Sequence, residues 1–260
     1  MLTQVLRATP RALILASAFF FAAAYFAIRF PEAPDAASYI STALISLPSF
    51  FALFEYLGAR RAALCLLALS AFGYAIETVG VVTGLPYGSF YYGDALGPKL
   101  LGLVPYLLPV SYVPLVIGAL AAARRIGPGS GHRLRLVLRS ALLLVLIDAV
   151  LDPSAASLGF WTWPEGGPYY GVPLSNYAGW LLSGSLAAAL LLGLGRWQSA
   201  PPPGMLDAAV LSLSFWTGVA ALSGLVVPAL IGAALLAYLL DRRQLLHSKV
   251  APGTRGVKTP

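Results

Sequence analysis

Long apolar runs separated by short polar segments dominate the pattern of this chain. The runs cover eight ranges: 11–29, 39–57, 62–83, 100–122, 134–151, 174–195, 206–222 and 225–240. Most approach the roughly 20 residues that an α-helix needs to cross the hydrocarbon core of a bilayer. Gly224 and Pro228 either turn the chain between the last two runs or kink one helix, so seven crossings remain open. The pattern predicts an all-α fold, a polytopic membrane bundle of about eight transmembrane helices.

The composition agrees with this prediction. The chain has 260 residues, of which 58% are hydrophobic and 10% are charged, and its mean hydropathy is +0.79. Soluble domains average about 45–50% apolar and about 25% charged residues. No polar stretch is long enough for a separate soluble domain. We therefore expect one transmembrane domain over 1–245 and a disordered cytoplasmic tail over 246–260.

The charged residues predict the topology. Alternate connections carry the basic residues: Arg7, Arg11, Arg60, Arg61, Arg124, Arg125, Arg133, Arg135, Arg139, Arg196, Arg242, Arg243 and Lys249. The other connections carry acids: Glu32, Asp35, Asp94, Asp152 and Glu165. Under the positive-inside rule, both termini lie in the cytoplasm and the protein is a multi-pass protein of the cell membrane. Arg7 and Arg11 would also suit a signal peptide, but no clear A-x-A cleavage site follows.

Several classes of partner and cofactor are not expected. The formal net charge is +7, but the charges form short clusters between apolar runs, which is typical of topology determinants and not of a nucleic-acid surface. Cys65 is the only cysteine, and His132 and His247 lie in basic segments. No Walker A loop or dinucleotide-binding glycine motif is present. We expect no metal, no cofactor and no nucleic acid, and no pattern specifies an oligomeric state.

Two segments on the same predicted face of the membrane carry most of the polar residues. They are Glu77–Lys99 and Asp148–Trp180, and each has an acid near a helix end followed by an aromatic loop with Gly and Pro. The aromatic candidates for substrate contact are Tyr87, Tyr91, Tyr92, Trp161, Trp163, Tyr169, Tyr170 and Trp180. They could form an interfacial belt. The Gly, Pro and Asn among them favour folded loops, whose aromatic faces can stabilise a cation.

The acids in these segments are the candidate catalytic groups. Glu77 lies inside an apolar run, so we expect it to face the bundle interior, either for function or to join two helices by a hydrogen bond. Asp148 and Asp152 are four residues apart and share a helix face, and we expect Pro153 to end or redirect that helix. Two such acids repel, so that one holds its proton. Alternatively, Asp152 caps the turn before Pro153.

The two segments resemble the carotenoid 1′,2′-hydratase family (CruF type), which includes the bisanhydrobacterioruberin hydratases. In the first segment the resemblance rests on Glu77, Gly80, GLPYG (84–88), Tyr92, LGPKL (96–100) and Gly102. In the second it rests on DAVLDP (148–153), WTW (161–163), YYGVP (169–173), Asn176, Gly179 and Trp180. These pieces cover about a third of the chain, and the remainder matches only as generic transmembrane helix.

The resemblance implies that water adds to the terminal double bond of a linear carotenoid and gives a tertiary alcohol, without a cofactor. A carboxylic acid would protonate the alkene, and a carboxylate would take a proton from the attacking water. The candidates for these roles are Asp148, Asp152 and Glu77, with Asp94 in reserve. Lys99 and Asn176 join the aromatic residues as candidate substrate contacts. The expected partners are the carotenoid and membrane lipid.

Three other functions remain open from the sequence. The spacing in DAVLD is also used by membrane prenyltransferases to bind a Mg²⁺–diphosphate, but a second Asp-rich motif is missing and the basic residues lie mostly across the membrane. A lycopene cyclase would use the same acid chemistry without capturing water. A small-molecule transporter or carotenoid-binding membrane protein would also carry buried acids.

Overall fold

The computed structural model describes residues 9–30, 35–124, 133–197 and 199–250. Within these residues the chain forms eight α-helices: α1 (Arg11–Arg29), α2 (Asp35–Leu57), α3 (Ala59–Thr83), α4 (Leu108–Ala123), α5 (Arg133–Ser157), α6 (Leu174–Gly195), α7 (Asp207–Leu222) and α8 (Val226–Val250). The prediction of an all-α membrane protein is confirmed. Arg7, Glu32, Arg125, His132 and residues 251–260 of the predicted tail lie outside the described residues.

Among the described residues, five segments are long and apolar enough to cross a membrane. They are α1, Tyr39–Leu57 of α2, α3, α6, and α7 together with the 3₁₀ turn Pro203–Leu206 that precedes it. Helix α4 is apolar but has only 16 residues, fewer than a straight crossing needs. The number of crossings and the side of each terminus therefore stay predictions.

Two helix boundaries differ from those expected. Helix α4 begins at Leu108 and not near residue 100, because a short hairpin of β2 (Lys99–Leu100) and β3 (Val104–Pro105) comes first. Leu101 and Gly102 in its turn adopt φ values of +54° and +72°, which are incompatible with a helix. Helix α8 continues to Val250, ten residues beyond the end of the apolar run at 225–240.

Pro153 does not end α5, although ending it was one of the two outcomes expected; that it redirects the helix stays a prediction. The helix continues to Ser157. Proline lacks an N–H group and so leaves the carbonyl four residues earlier without its helical partner. Here that carbonyl belongs to Ala149, and it accepts a hydrogen bond from the Tyr169 hydroxyl at 3.1 Å. The second polar loop therefore supplies the missing donor, and the helix can pass through the proline.

The centre of the bundle is α4, whose residues from Tyr112 to Ala123 are all buried. Helices α2, α3, α5, α6 and α7 pack around it. Helix α1 lies at the periphery and packs chiefly against α7. A Cβ on Gly218 of α7 would lie 2.7 Å from the carbonyl oxygen of Phe21, so the close approach of α1 to α7 depends on this glycine.

The two polar loops meet in a two-stranded ladder at one end of the bundle. Strand β1 (Tyr91–Tyr92) pairs antiparallel with β4 (Trp161–Thr162), so that Tyr92 is opposite Trp161. A further bond joins the Gly93 N–H to the Phe160 carbonyl at 2.8 Å. Residues opposite each other in such a pair point to the same face. This pairing joins the two segments that were singled out in the sequence.

Candidate active site

Asp148 and Asp152 project from one face of α5 and meet the side chain of Asn176 on α6. All three side chains are buried, with exposed fractions of 2%, 4% and 2%. The amide nitrogen of Asn176 donates to Oδ2 of Asp148 at 2.9 Å and also to Oδ2 of Asp152. Two carboxyl groups thus share one neutral amide donor, and close carboxylates do not both ionise readily. The arrangement favours one proton held between the two acids.

Asp148 has a second feature that separates it from Asp152. Its Oδ1 atom is buried and has no hydrogen-bond partner among the described residues. A buried carboxylate oxygen without a partner is costly when the group is ionised. Asp148 is thus the more natural position for the shared proton, and Asp152 is the member of the pair that reaches the cavity described below.

Glu77 approaches the same region from α3 and is 7% exposed. The hydroxyl of Tyr92, from β1, donates to Oε2 of Glu77 at 2.8 Å. The pKa of Tyr92 is raised well above its usual value, first by burial and then by the neighbouring Glu77 carboxylate. The phenol therefore keeps its proton and acts as a donor, and it fixes the orientation of the carboxylate.

Aromatic side chains from both loops enclose these acids. The ring of Tyr87 is held between α3 and α6, where a Cβ on Gly80 or Gly179 would lie 2.8 Å or 2.6 Å from it. The indole N–H of Trp163 donates to the Tyr87 carbonyl at 3.2 Å. Trp180 contacts the Tyr87 ring at a centroid distance of 6.4 Å. These contacts make a rigid aromatic wall.

The acids open into two cavities of different character. A small chamber of about 40 Å³ is lined by Glu77, Tyr87, Phe90, Tyr92, Asp152, Trp161, Trp163, Asn176 and Trp180. A much larger apolar groove of about 1210 Å³ lies next to it and is lined mainly by residues of α1, α2, α4 and α7. The residues that line both are Glu77, Tyr92, Trp161 and Trp180. The polar and apolar compartments therefore meet at Glu77.

Some predicted site residues lie elsewhere. The Asp94 side chain is fully exposed and pairs with Lys99 at 2.9 Å; the hydrogen bond and charge of Lys99 lower the pKa of Asp94. Lys99 also donates to the Tyr92 carbonyl at 2.8 Å, so it supports the loop from outside the chamber. Tyr91 is 52% exposed and points away from the acids.

Tyr169 and Tyr170 line neither cavity. Tyr169 supports the backbone of α5 between the two aspartates through Ala149. The hydroxyl of Tyr170 accepts a bond from the Val227 N–H at 3.3 Å. These two residues were expected to contact substrate; neither lines the chamber or the groove, and their contact with substrate stays a prediction.

Phe90 lines the chamber and was not singled out in the sequence. It is 8% exposed, and its ring lies against those of Tyr87, Tyr92 and Trp163. Alternate residues of an extended segment share a face, so Phe90 and Tyr92 point inward while Tyr91 points outward. The alternation in SFYY (89–92) could have identified Phe90 as an inward-facing residue from the sequence. The sequence contains no comparable indication for the groove residues of α1 and α2, because apolar residues in these helices are equally typical of positions that face lipid.

The chain is similar to known proteins over a range that includes both polar segments. Residues 36–239 match the family described as "Carotenoid biosynthesis protein". The bisanhydrobacterioruberin hydratase of Haloarcula japonica is 45% identical over 188 residues, which are 68% of this chain and 64% of that protein. The matched part thus spans a little less than two thirds of that relative. No solved structure matches the chain significantly.

Proposed function

The chain belongs to the carotenoid biosynthesis protein family, and we propose that it is a carotenoid 1′,2′-hydratase. It would add water across the terminal double bond of a linear carotenoid end group and form a tertiary alcohol. The observation that carries this proposal is the position of Glu77, which lines both a small acid-lined chamber and a large apolar groove. The name of the 45% identical relative supports the same reaction.

In the first step, the shared proton moves from Asp148 to Asp152 within the pair, and Asp152 donates it to the less substituted carbon of the terminal alkene. The C=C electron pair forms the new C–H bond, and positive charge develops on the carbon that bears two methyl groups. Asp152 is suited to this role because it lines the chamber and Asp148 lies behind it. The rings of Trp161 and Trp180 border the same space, and aromatic faces stabilise a nearby cation.

In the second step, a water molecule in the chamber attacks the tertiary cation and forms the C–O bond. Glu77, oriented by Tyr92, takes the proton that this water loses. A chamber of about 40 Å³ has room for water, since one molecule needs roughly 10–15 Å³ on the same measure and several polar partners. A proton then returns from Glu77 to the aspartate pair, so one alkene and one water give one alcohol.

The alternatives fit the site less well. A lycopene cyclase would need no water next to the cation, whereas the chamber offers Glu77, Asp152, Tyr92 and Asn176 as polar partners for one. A prenyltransferase would need basic residues around a diphosphate. Among the described residues that line the two cavities, Arg29 is the only basic one.

The function can be tested by expression in a lycopene-producing bacterium with mass spectrometry of the pigments. A product heavier by one water supports the hydratase. An isomer of unchanged mass would point to a cyclase, and the absence of any new pigment would count against both enzymes. Asp152→Asn and Glu77→Gln should abolish the conversion while the protein stays in the membrane.

A further inference from the structure

Several residues of α1 and α2 that line the apolar groove are also largely exposed. Phe19 and Phe26 of α1 line it and are 64% and 61% exposed, and Ile40 and Leu44 of α2 line it and are 61% and 53% exposed. Since α1 packs chiefly against α7, the space between α1 and α2 is not closed by direct packing of these two helices. The groove can therefore be entered sideways from the bilayer.

The lining of the groove suits a long uncharged chain. Among the described residues that form it, only Arg29 and Glu77 carry charge. Two of its hydroxyls are used within the protein: Ser46 donates to the Val110 carbonyl at 2.6 Å, and Ser111 donates to carbonyls of its own helix. The volume of about 1210 Å³ exceeds the range of about 300–1,000 Å³ usual for small-ligand sites.

The groove also extends well away from the acids. Trp216 of α7 lies at the acid end, where its ring packs against Phe160 beside Trp161. Ala208 lines the groove further along the same helix. Eight helical residues correspond to about 12 Å. An occupant that reaches Glu77 with one end must therefore lie along α7 with the rest of its length.

We propose that this groove binds the polyene chain of the substrate, which enters sideways from the bilayer between α1 and α2. The inference rests on the proposed function and adds a binding site for the part of the substrate that does not react. Binding energy from that remote part holds the end group at the acids. The enzyme would thus act on one end of one carotenoid at a time and would select for a long, linear, uncharged chain.

Ala23 and Ala27 of α1 offer a direct test, because both line the groove and neither is fully buried. Ala23→Trp and Ala27→Trp place a large ring in the groove from a helix that carries none of the three acids. Ala22→Trp is the matched control, since Ala22 is exposed on the same helix and does not line the groove. Thermal unfolding in detergent checks that each variant is folded.

The conversion of lycopene is then compared with that of a shortened acyclic polyene with the same terminal double bond. We expect kcat/KM for lycopene to fall about tenfold or more in the two groove variants, with little change for the short compound or for Ala22→Trp. A wild-type protein that converts lycopene but not the short compound would also support the proposal, because the groove contacts are then required.

The outcomes separate the two proposals. If the wild-type protein converts neither compound, the hydratase function itself fails. If folded Ala23→Trp and Ala27→Trp convert lycopene as the wild type does, the function stands, the groove belongs to a bilayer lipid, and the inference is wrong. An equal loss for both compounds in folded variants would also overturn it, because the effect would not depend on the chain.

Discussion

The hydroxyl of Tyr92 donates a hydrogen bond to Oε2 of Glu77 at 2.8 Å and thereby joins the first polar loop to α3. The loop is held in turn by its pairing with β4 and by Lys99, which donates to the Tyr92 carbonyl. The orientation of Glu77 on α3 is therefore set by strand β1, which is part of neither α3 nor α5, the helix that carries both aspartates. The contribution of the loop to the orientation of Glu77 can therefore be measured by removing the Tyr92 hydroxyl.

Tyr92→Phe removes the hydroxyl and keeps the ring. A hydrogen bond to a charged group contributes about 1.5–3 kcal/mol, so we expect kcat to fall about 10- to 100-fold if Glu77 must be oriented for proton transfer. Steady-state conversion in isolated membranes measures the effect. Tyr91→Phe is the control, since Tyr91 lies on the same strand and is 52% exposed. Equal activity of the two variants would contradict the role given to the Tyr92 hydroxyl.

Asp152→Asn should lower conversion about 100-fold or more, because general acid catalysis contributes factors of about 10²–10⁴. Asp94→Asn makes the same chemical change at a fully exposed residue and should leave conversion near the wild-type rate. Pigment analysis at equal protein levels compares the two. An inactive Asp94→Asn variant together with an active Asp152→Asn variant would mean that the catalytic acid does not lie in the chamber.

Tyr169→Phe should leave the Ala149 carbonyl without its donor and weaken the α5 segment between the aspartates. We expect a loss of about 0.5–1.5 kcal/mol in stability and a several-fold lower kcat with little change in KM. Pro153→Ala restores a backbone N–H for the same carbonyl. The double variant should therefore recover part of the lost kcat. No recovery would mean that Tyr169 acts in another way.

Gly179→Ala should disrupt the aromatic wall. Its Cβ would lie 2.6 Å from the Tyr87 ring and 2.9 Å from the Pro86 carbonyl oxygen, and such overpacking costs about 1–3 kcal/mol. Gly193→Ala, on the same helix, meets nothing within 4 Å and should be neutral or slightly stabilising. Thermal unfolding in detergent compares the two. Equal unfolding temperatures would contradict the tight packing of α6 on Tyr87.

Hydropathy predicted most of the fold. The apolar runs 11–29 and 174–195 coincide with α1 and α6, because a bilayer-length helix leaves an uninterrupted apolar signature. The hairpin before α4 was missed, since most of its residues after Lys99 are apolar and its turn is marked by positive φ values that the sequence does not show. The sequence left open whether Pro153 ends or redirects α5, because the donor that compensates for the proline, Tyr169, is distant in sequence.

The site was predicted in part. The four-residue spacing placed Asp148 and Asp152 on one helix face, and the structure brings them together with Asn176. The spacing said nothing about Tyr92 and Glu77, because that contact depends on the pairing of β1 with β4. Tyr169 lies in an aromatic loop like the residues that line the chamber. Only its contact with the Ala149 carbonyl of α5, outside the chamber, distinguishes it from them.

The origin of the oxygen atom in the product tests the central claim most directly. Membranes containing the protein are incubated with lycopene in ¹⁸O-labelled water, and the product is analysed by mass spectrometry. Hydration predicts a tertiary alcohol that carries one ¹⁸O atom per reacted end and is not formed by Asp152→Asn membranes. A product without the label, or an isomer with the mass of lycopene, would contradict the account.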